Sequence, residues 1–289
     1  MTFAYHRPRT IDAFWDTLAG SPGGVQLLAG GTDVVVGLNK GTTVPAAVVD
    51  LKGLDVLRSD IAAVDGRLRV AALNVMSDLI RDERMRRHFP ALVEAAAEVG
   101  SVQIRNRATL AGNICNASPA ADTAPPLLVY GAMVKILGPT GDRSVPLRDF
   151  FAAPRVTVLE PGDVVTAIDL PFEPQPRGSA FLRVTRRRGF DLGTVSVSCL
   201  VARGEPARFA FGAVGPTPLL AVDESGVLGP EPGEPAAEGE AIERLLEVTS
   251  PISDVRGGRE YRAAMLDALS RRVLARARER LERGAVGPG

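Results

Sequence analysis

The chain has 289 residues, a length that suits about two domains. It is 45% hydrophobic and 24% charged, and its 34 Lys+Arg balance its 34 Asp+Glu. The whole-chain charge therefore offers no reason to expect a nucleic-acid or membrane partner. Two cysteines, Cys115 and Cys199, cannot build a disulfide framework and match no zinc or iron–sulfur spacing, so a redox cofactor carried here is expected to be organic. The opening "MTFAYHRPRT" lacks the apolar core of a secretory signal. No stretch approaches the ~18 apolar residues of a membrane span. A cytoplasmic location is the expectation.

Along the chain, "IDAFWDTLAG" carries apolar residues at 11, 14, 15 and 18, a helical spacing closed by Gly20 and the turn "SPGG". Apolar runs at 25–28, 34–38, 47–51 and 68–73 read as strands separated by Gly, Pro and Asp. Residues 76–99 predict a helix interrupted near Pro90 and ended by Gly100. The segment 101–126, "SVQIRNRATLAGNICNASPAADTAPP", reads as a loop, long enough inside a compact domain to suggest a functional one. Strands return at 133–137 and 164–170. The Pro- and Gly-rich "PFEPQPRGS", 171–179, predicts a domain linker. Beyond it "AFLRV", "TVSVSCLVA" and "ARFAFGAVG" read as three strands, and 221–239 as a surface loop. The remainder is helical, with Met265, Leu269, Val273, Ala277 and Leu281 recurring at i+4 steps. Strands followed by helices place both halves in the α+β class.

Two glycine motifs carry the chemistry. In "LLAGGTDVVVGL" an apolar run breaks at Gly30-Gly31-Thr32-Asp33 and resumes at Val34. Glycines admit positive φ and close approach of a ligand, and successive N–H groups in such a turn form an anion-binding nest. No Lys follows at the spacing of a nucleotide triphosphatase cradle, and the GxGxxG fingerprint is absent. Taken alone, the motif is more simply a hairpin turn. The second motif, Thr109-Leu110-Ala111-Gly112-Asn113, repeats a glycine, a hydroxyl and a carboxamide, and Asp122 follows as an acceptor for a sugar or ring. Arg105 and Arg107 offer charge to offset phosphates, or form a solvated loop surface. Two such loops about 80 residues apart suit the two phosphates and sugar of one long dinucleotide.

These two motifs resemble the FAD-binding subunit of molybdenum hydroxylases, a family that includes the medium subunit of carbon monoxide dehydrogenase and the flavin segment of xanthine dehydrogenase. The resemblance extends over nearly the whole chain through "FAYHRPRTIDAFWDTL", "LEPGDVVTAIDLP", "AFLRVTRRRGFDLGTVSV", "FAFGAVGPTPL" and "PISDVRGGREYRAAMLDALSRR". It implies an α+β, two-subdomain FAD-binding fold of the vanillyl-alcohol oxidase type over 1–174. A small α+β C-terminal domain, a three-stranded antiparallel sheet with helices, follows over 178–284. It also implies cofactor contacts. Leu27, Leu28, Ala29, Gly30, Gly31, Thr32, Asp33 and Val34 match the first FAD loop, at the pyrophosphate, and Thr109, Leu110, Ala111, Gly112 and Asn113 match the second. Asp122 matches the acid of an "ASPxxD" pattern near the sugar and adenine, and Val165 a backbone contact to the flavin. Arg183 stands where many members have a Lys, and Val99 lies near a further contact. Ala111 replaces a frequent Gly, which would cost about 1 kcal/mol or more if φ there were positive.

By the same resemblance FAD is bound non-covalently, since His6 and His88 lie away from both motifs, and Cys115 is a small buried residue. The implied assembly holds a molybdenum cofactor on a large subunit and [2Fe–2S] clusters on a small subunit, as a dimer of heterotrimers. Electrons reach FAD here and leave to NAD, oxygen or a quinone. No residue of this chain is then catalytic toward the substrate. The run Arg186-Arg187-Arg188 either borders the flavin or is a solvated loop. The rival readings are a stand-alone flavin reductase or oxidase of the same fold, a flavin-binding module without redox duty, and a scaffold that has lost FAD.

Overall fold

The computed structural model describes residues 2–21, 23–172, 175–187, 189 and 191–285. The chain opens with β1 (Ala4–His6), α1 (Ile11–Ala19), β2 (Val25–Leu28), α2 (Val34–Lys40) and β3 (Ala47–Asp50). The three strands form a parallel sheet in the order β1-β3-β2. Parallel neighbours cannot be joined by a tight turn; they need a crossover. That requirement overturns the strand reading of 34–38: the segment is the crossover helix α2. Its consecutive valines have high strand propensity, but tertiary context outweighs propensity. The hairpin reading of Gly30-Gly31 falls with it. Locally this unit alternates strand and helix, while the chain as a whole is α+β as expected.

A second unit contains β4 (Ile61–Val64), β5 (Arg67–Ala71), α3 (Met76–Arg81), α4 (Glu83–His88), α5 (Pro90–Glu98), α6 (Val102–Arg105), α7 (Leu110–Cys115), α8 (Ala124–Val129), β6 (Met133–Gly138), β7 (Gly141–Pro146), β8 (Phe151–Ala153), β9 (Val156–Thr157) and β10 (Val164–Pro171). Five strands form an antiparallel sheet in the order β4-β5-β10-β6-β7. β6 buries every second residue, as a strand with one face on the core must. The expected helix over 76–99 breaks at Asp82 as well as Pro90. The Asp82 carboxylate caps α4 by accepting from the N–H groups of Arg84 and Met85. The expected loop over 101–126 holds three short helices. Ser101 and Thr109 cap α6 and α7, and Pro125 and Pro126 lie in the first turn of α8, where a missing N–H costs nothing.

The third unit is β11 (Arg177–Val184), β12 (Val195–Ala202), β13 (Arg208–Gly212), β14 (Leu219–Val222), α9 (Pro235–Leu246) and α10 (Arg259–Ala285). Its antiparallel sheet has four strands, not the expected three; β14 is a short edge strand. The surface loop expected over 221–239 gives way to α9 at Pro235. Every residue of β12 is buried because the sheet is a middle layer. Phe181, Leu200 and Ala210 join the core of the second unit. Val197, Cys199, Phe209 and Phe211 pack with Leu269, Val273, Ala277 and Leu281 of α10. Four members of the i+4 stripe are thus buried, and Met265 packs at its margin. The expected end of the first domain, 174, and Arg188 lie outside the described residues.

Candidate cofactor-binding site

The first glycine motif occupies the connection from the C-terminal end of β2 to α2. Leu27, Leu28, Ala29, Gly30, Gly31, Thr32 and Val34 are half-buried and Asp33 is exposed. The hydrogen-bond ladder of α2 starts with Val35 N–H donating to the Gly31 carbonyl (2.9 Å), so the loop's own N–H groups precede it. Gly31 has φ +81°, the left-handed region that glycine adopts without strain. Gly30 is needed for a different reason. A Cβ there would lie 2.0 Å from the Arg107 carbonyl oxygen. Its missing side chain makes room for the backbone that leads into the second motif, so the two loops touch main chain to main chain.

The second motif forms α7. Thr109 is the N-cap, and its Oγ1 accepts from Gly112 N–H at 3.0 Å. Leu110 N–H donates to the Asn74 carbonyl at 3.2 Å, which ties α7 to the segment after β5. Thr123 Oγ1 donates to Asn113 Oδ1 at 2.6 Å and closes the following loop. Ala111 is helical, so the strain that a positive φ would impose does not arise. Arg105 turns back on its own segment; its Nη1 donates to the carbonyls of Val99 and Gly100 at 3.2 and 3.1 Å. Cys115 is half-buried, and its desolvated thiol is pushed up to about 12.

Both loops line one cleft of about 180 Å³, with Ala29, Gly30, Arg107 and Thr109 on its walls. Lys52, Ser59, Leu73, Val75 and Asn106 complete it. Lys52 Nζ donates to the Ala29 carbonyl at 3.0 Å and pairs with Asp50 Oδ1 at 2.6 Å. Tyr5 Oη donates to Asp50 Oδ2 at 2.6 Å. Burial opposes ionisation of Asp50, yet hydrogen bonds from Lys52 and Tyr5 hold its carboxyl below the ordinary value. Lys52 thus steadies the first loop from below. No local motif marks Lys52 in the sequence, although a rare lysine in an arginine-rich chain is a usable signal.

Asp122 and Arg183 form a second cluster. Arg183 Nη1 donates to Asp122 Oδ2 at 2.5 Å, and both side chains are at least nine-tenths buried. Arg183 Nε also donates to Glu98 Oε2 at 3.0 Å. Among the described residues, Asp122 Oδ1 is buried without a partner. Burial pushes the Asp122 carboxyl up to about 7; Arg183 opposes this and Glu98 adds to it. Two residues expected to face a cofactor separately are therefore partners of each other. Val165 is buried in β10, in the same core as Leu110 and Ala111. Val99 is the C-cap that follows α5, and it packs against that core. His6 lies in β1 and His88 in α4, and neither lines the cleft.

The glycine turn after β2 and the backbone leading into α7 close around one cleft, with Lys52 beside the first, and suit an elongated ligand bearing a pyrophosphate. Comparison with known proteins agrees. Residues 1–173 match the model for the FAD binding domain in molybdopterin dehydrogenase, and residues 180–277 that for the CO dehydrogenase flavoprotein C-terminal domain. The chain belongs to this family of FAD-binding molybdopterin dehydrogenase subunits. It is 34% identical over 281 residues to the xanthine dehydrogenase FAD-binding subunit of Escherichia coli O157:H7, covering 95% of each chain. It is 29% identical over 283 residues to the carbon monoxide dehydrogenase medium chain of Afipia carboxidovorans, covering 96% of this chain and 98% of that one. A solved carbon monoxide dehydrogenase from Hydrogenophaga pseudoflava superposes with a TM-score of 0.89 at 26% identity, covering 97% of this chain and 98% of that one.

Proposed function

We propose that this chain is the FAD-carrying electron-transfer subunit of a molybdenum-dependent hydroxylase or dehydrogenase complex. The observation that supports this best is the main-chain contact of the two glycine loops around one cleft, in a chain of this family. The residues present fit the cofactor. The loop from Leu27 to Val34 offers N–H groups ahead of the α2 ladder, and the Gly112–Thr109 cap holds the second loop in place. The Oδ1 of Asp122, without a partner among the described residues, offers an acceptor to a ligand hydroxyl or N–H. Leu27 to Val34 and Thr109 to Asn113 would hold the pyrophosphate, with Asp122, Val165 and Arg183 serving the remainder of the cofactor. Binding is non-covalent. When bound, FAD supplies the redox chemistry: single-electron exchange with [2Fe–2S] clusters on a small subunit and paired delivery to NAD, oxygen or a quinone.

This chain's own side chains position the cofactor and perform no acid or base step on the complex's substrate. A large molybdenum-cofactor subunit and a small iron–sulfur subunit complete the assembly, a cytoplasmic dimer of heterotrimers. Within the chain, 1–174 is the FAD-binding domain and 178–284 the C-terminal domain. Co-purification from the native host tests the proposal. The expected result is absorption at flavin wavelengths in a peak that also contains two further subunits of the stated kinds. A lone colourless chain would overturn it.

A further inference from the structure

We infer that Glu98 is a positioning residue of the cofactor site: by anchoring Arg183 it decides which oxygen of Asp122 stays free for the ligand. The inference rests on the FAD reading above. Glu98 ends α5 and is half exposed. Its Oε2 takes both Nε and Nη2 of Arg183, each at 3.0 Å. The guanidinium is a rigid planar fork, so fixing one edge fixes the direction of the remaining nitrogen. That nitrogen, Nη1, reaches Asp122 Oδ2 at 2.5 Å. Among the described residues, Asp122 is therefore held by one oxygen only. The other, Oδ1, is buried and has no partner among the described residues; a Cβ at Gly193 of the C-terminal unit would stand 3.5 Å from it. A buried carboxylate oxygen without a donor is costly, and a ligand N–H or O–H is the group that would satisfy it.

The charges facing Asp122 come from Arg183 on β11 and Glu98 on α5. Glu98 thus acts in two separable ways. Its oxygen orients Arg183, and its negative charge favours the protonated form of Asp122. Glu98→Gln keeps an acceptor oxygen and removes the charge; Glu98→Ala removes both.

The test is titration of the full chain with FAD, read by flavin fluorescence from mildly acidic to mildly alkaline pH, with melting temperatures measured alongside. In the wild type, affinity should rise as pH passes through about 7, because an ionised Oδ1 is the better acceptor. Glu98→Ala should bind about tenfold more weakly, the loss expected for one misdirected charge-assisted hydrogen bond. Glu98→Gln should recover most of that loss at alkaline pH and move the midpoint of the profile downward. A Glu98→Ala chain with wild-type affinity and profile overturns the inference. So does a Glu98→Gln chain as weak as Glu98→Ala. A wild-type chain that takes up no FAD at any pH overturns the FAD reading itself, and is told apart because no variant is involved.

Discussion

At the scale of single residues, the two adjacent glycines do different work. Gly31 answers a backbone demand, a φ of +81°, and Gly30 a demand for contact, since the Arg107 carbonyl fills the place of its Cβ. Gly31→Val puts a β-branched residue in the left-handed region, which costs roughly 1–2 kcal/mol or more. It should abolish FAD retention while far-ultraviolet circular dichroism stays near wild type. Full flavin occupancy in that variant would remove the loop from the site. Gly30→Ala should both lower the melting temperature and weaken FAD, because the two loops must part. Asp122 makes a pH prediction for the FAD-free chain. Its carboxyl is raised from an ordinary 3.8 to about 7, chiefly by burial. Between those values the folded chain holds a proton that the unfolded chain has released, so stability should fall as pH rises from about 4 to about 7 and level off above. Urea melts across that range check the sign, and Asp122→Asn should flatten the slope. The turn at Gly31 was legible in the sequence because adjacent glycines advertise unusual backbone, whereas the second motif is an ordinary capped helix. The pairing of Asp122 with Arg183 was not legible, since 61 residues separate them and no local pattern records it.

Among elements, α7 shows how a short helix escapes sequence reading. It has six residues, a glycine inside and a run of small side chains around it, so neither propensity nor periodicity declares it. What sustains it is a cap and burial: Thr109 accepts from Gly112, and Leu110, Ala111 and Ile114 face the core. Thr109→Ala should lower unfolding free energy by about 1 kcal/mol, and Thr109→Ser should restore it, as judged by chemical denaturation. Equal stability of the two variants would show that burial alone holds the helix. The misreading of 34–38 has the opposite cause. Three consecutive valines gave a strong local signal, and the parallel pairing of β2 with β3 overrode it. The C-terminal stripe was readable from 265 onward because a long helix repeats its pattern often enough to be unambiguous.

Over the whole molecule, Glu94 links the C-terminal unit to the helical layer. From α5 it accepts from Arg280 and Arg276 of α10 and from the Phe181 N–H of β11. Only about a fifth of its side chain is exposed, so Glu94→Ala deprives the mostly buried Arg280 of its carboxylate and leaves the Phe181 N–H unpaired. A loss of about 2–3 kcal/mol is expected, seen as a lower thermal midpoint; an unchanged midpoint would make these contacts ornamental. Tyr130 and Ser179, with their oxygens 2.5 Å apart, bridge the same two layers. By itself the sequence determined the α+β class, the strands at 25–28 and 164–170, the final helix and the break in the chain at Gly30-Gly31, because each is written in local spacing and backbone tolerance. Only the tertiary structure decided that the loops meet through Gly30 and Arg107, that Lys52 lies beneath the first, and that Glu98, Arg183 and Asp122 form one cluster. Such contacts depend on chain topology, and topology brings together residues that share no neighbourhood in the sequence.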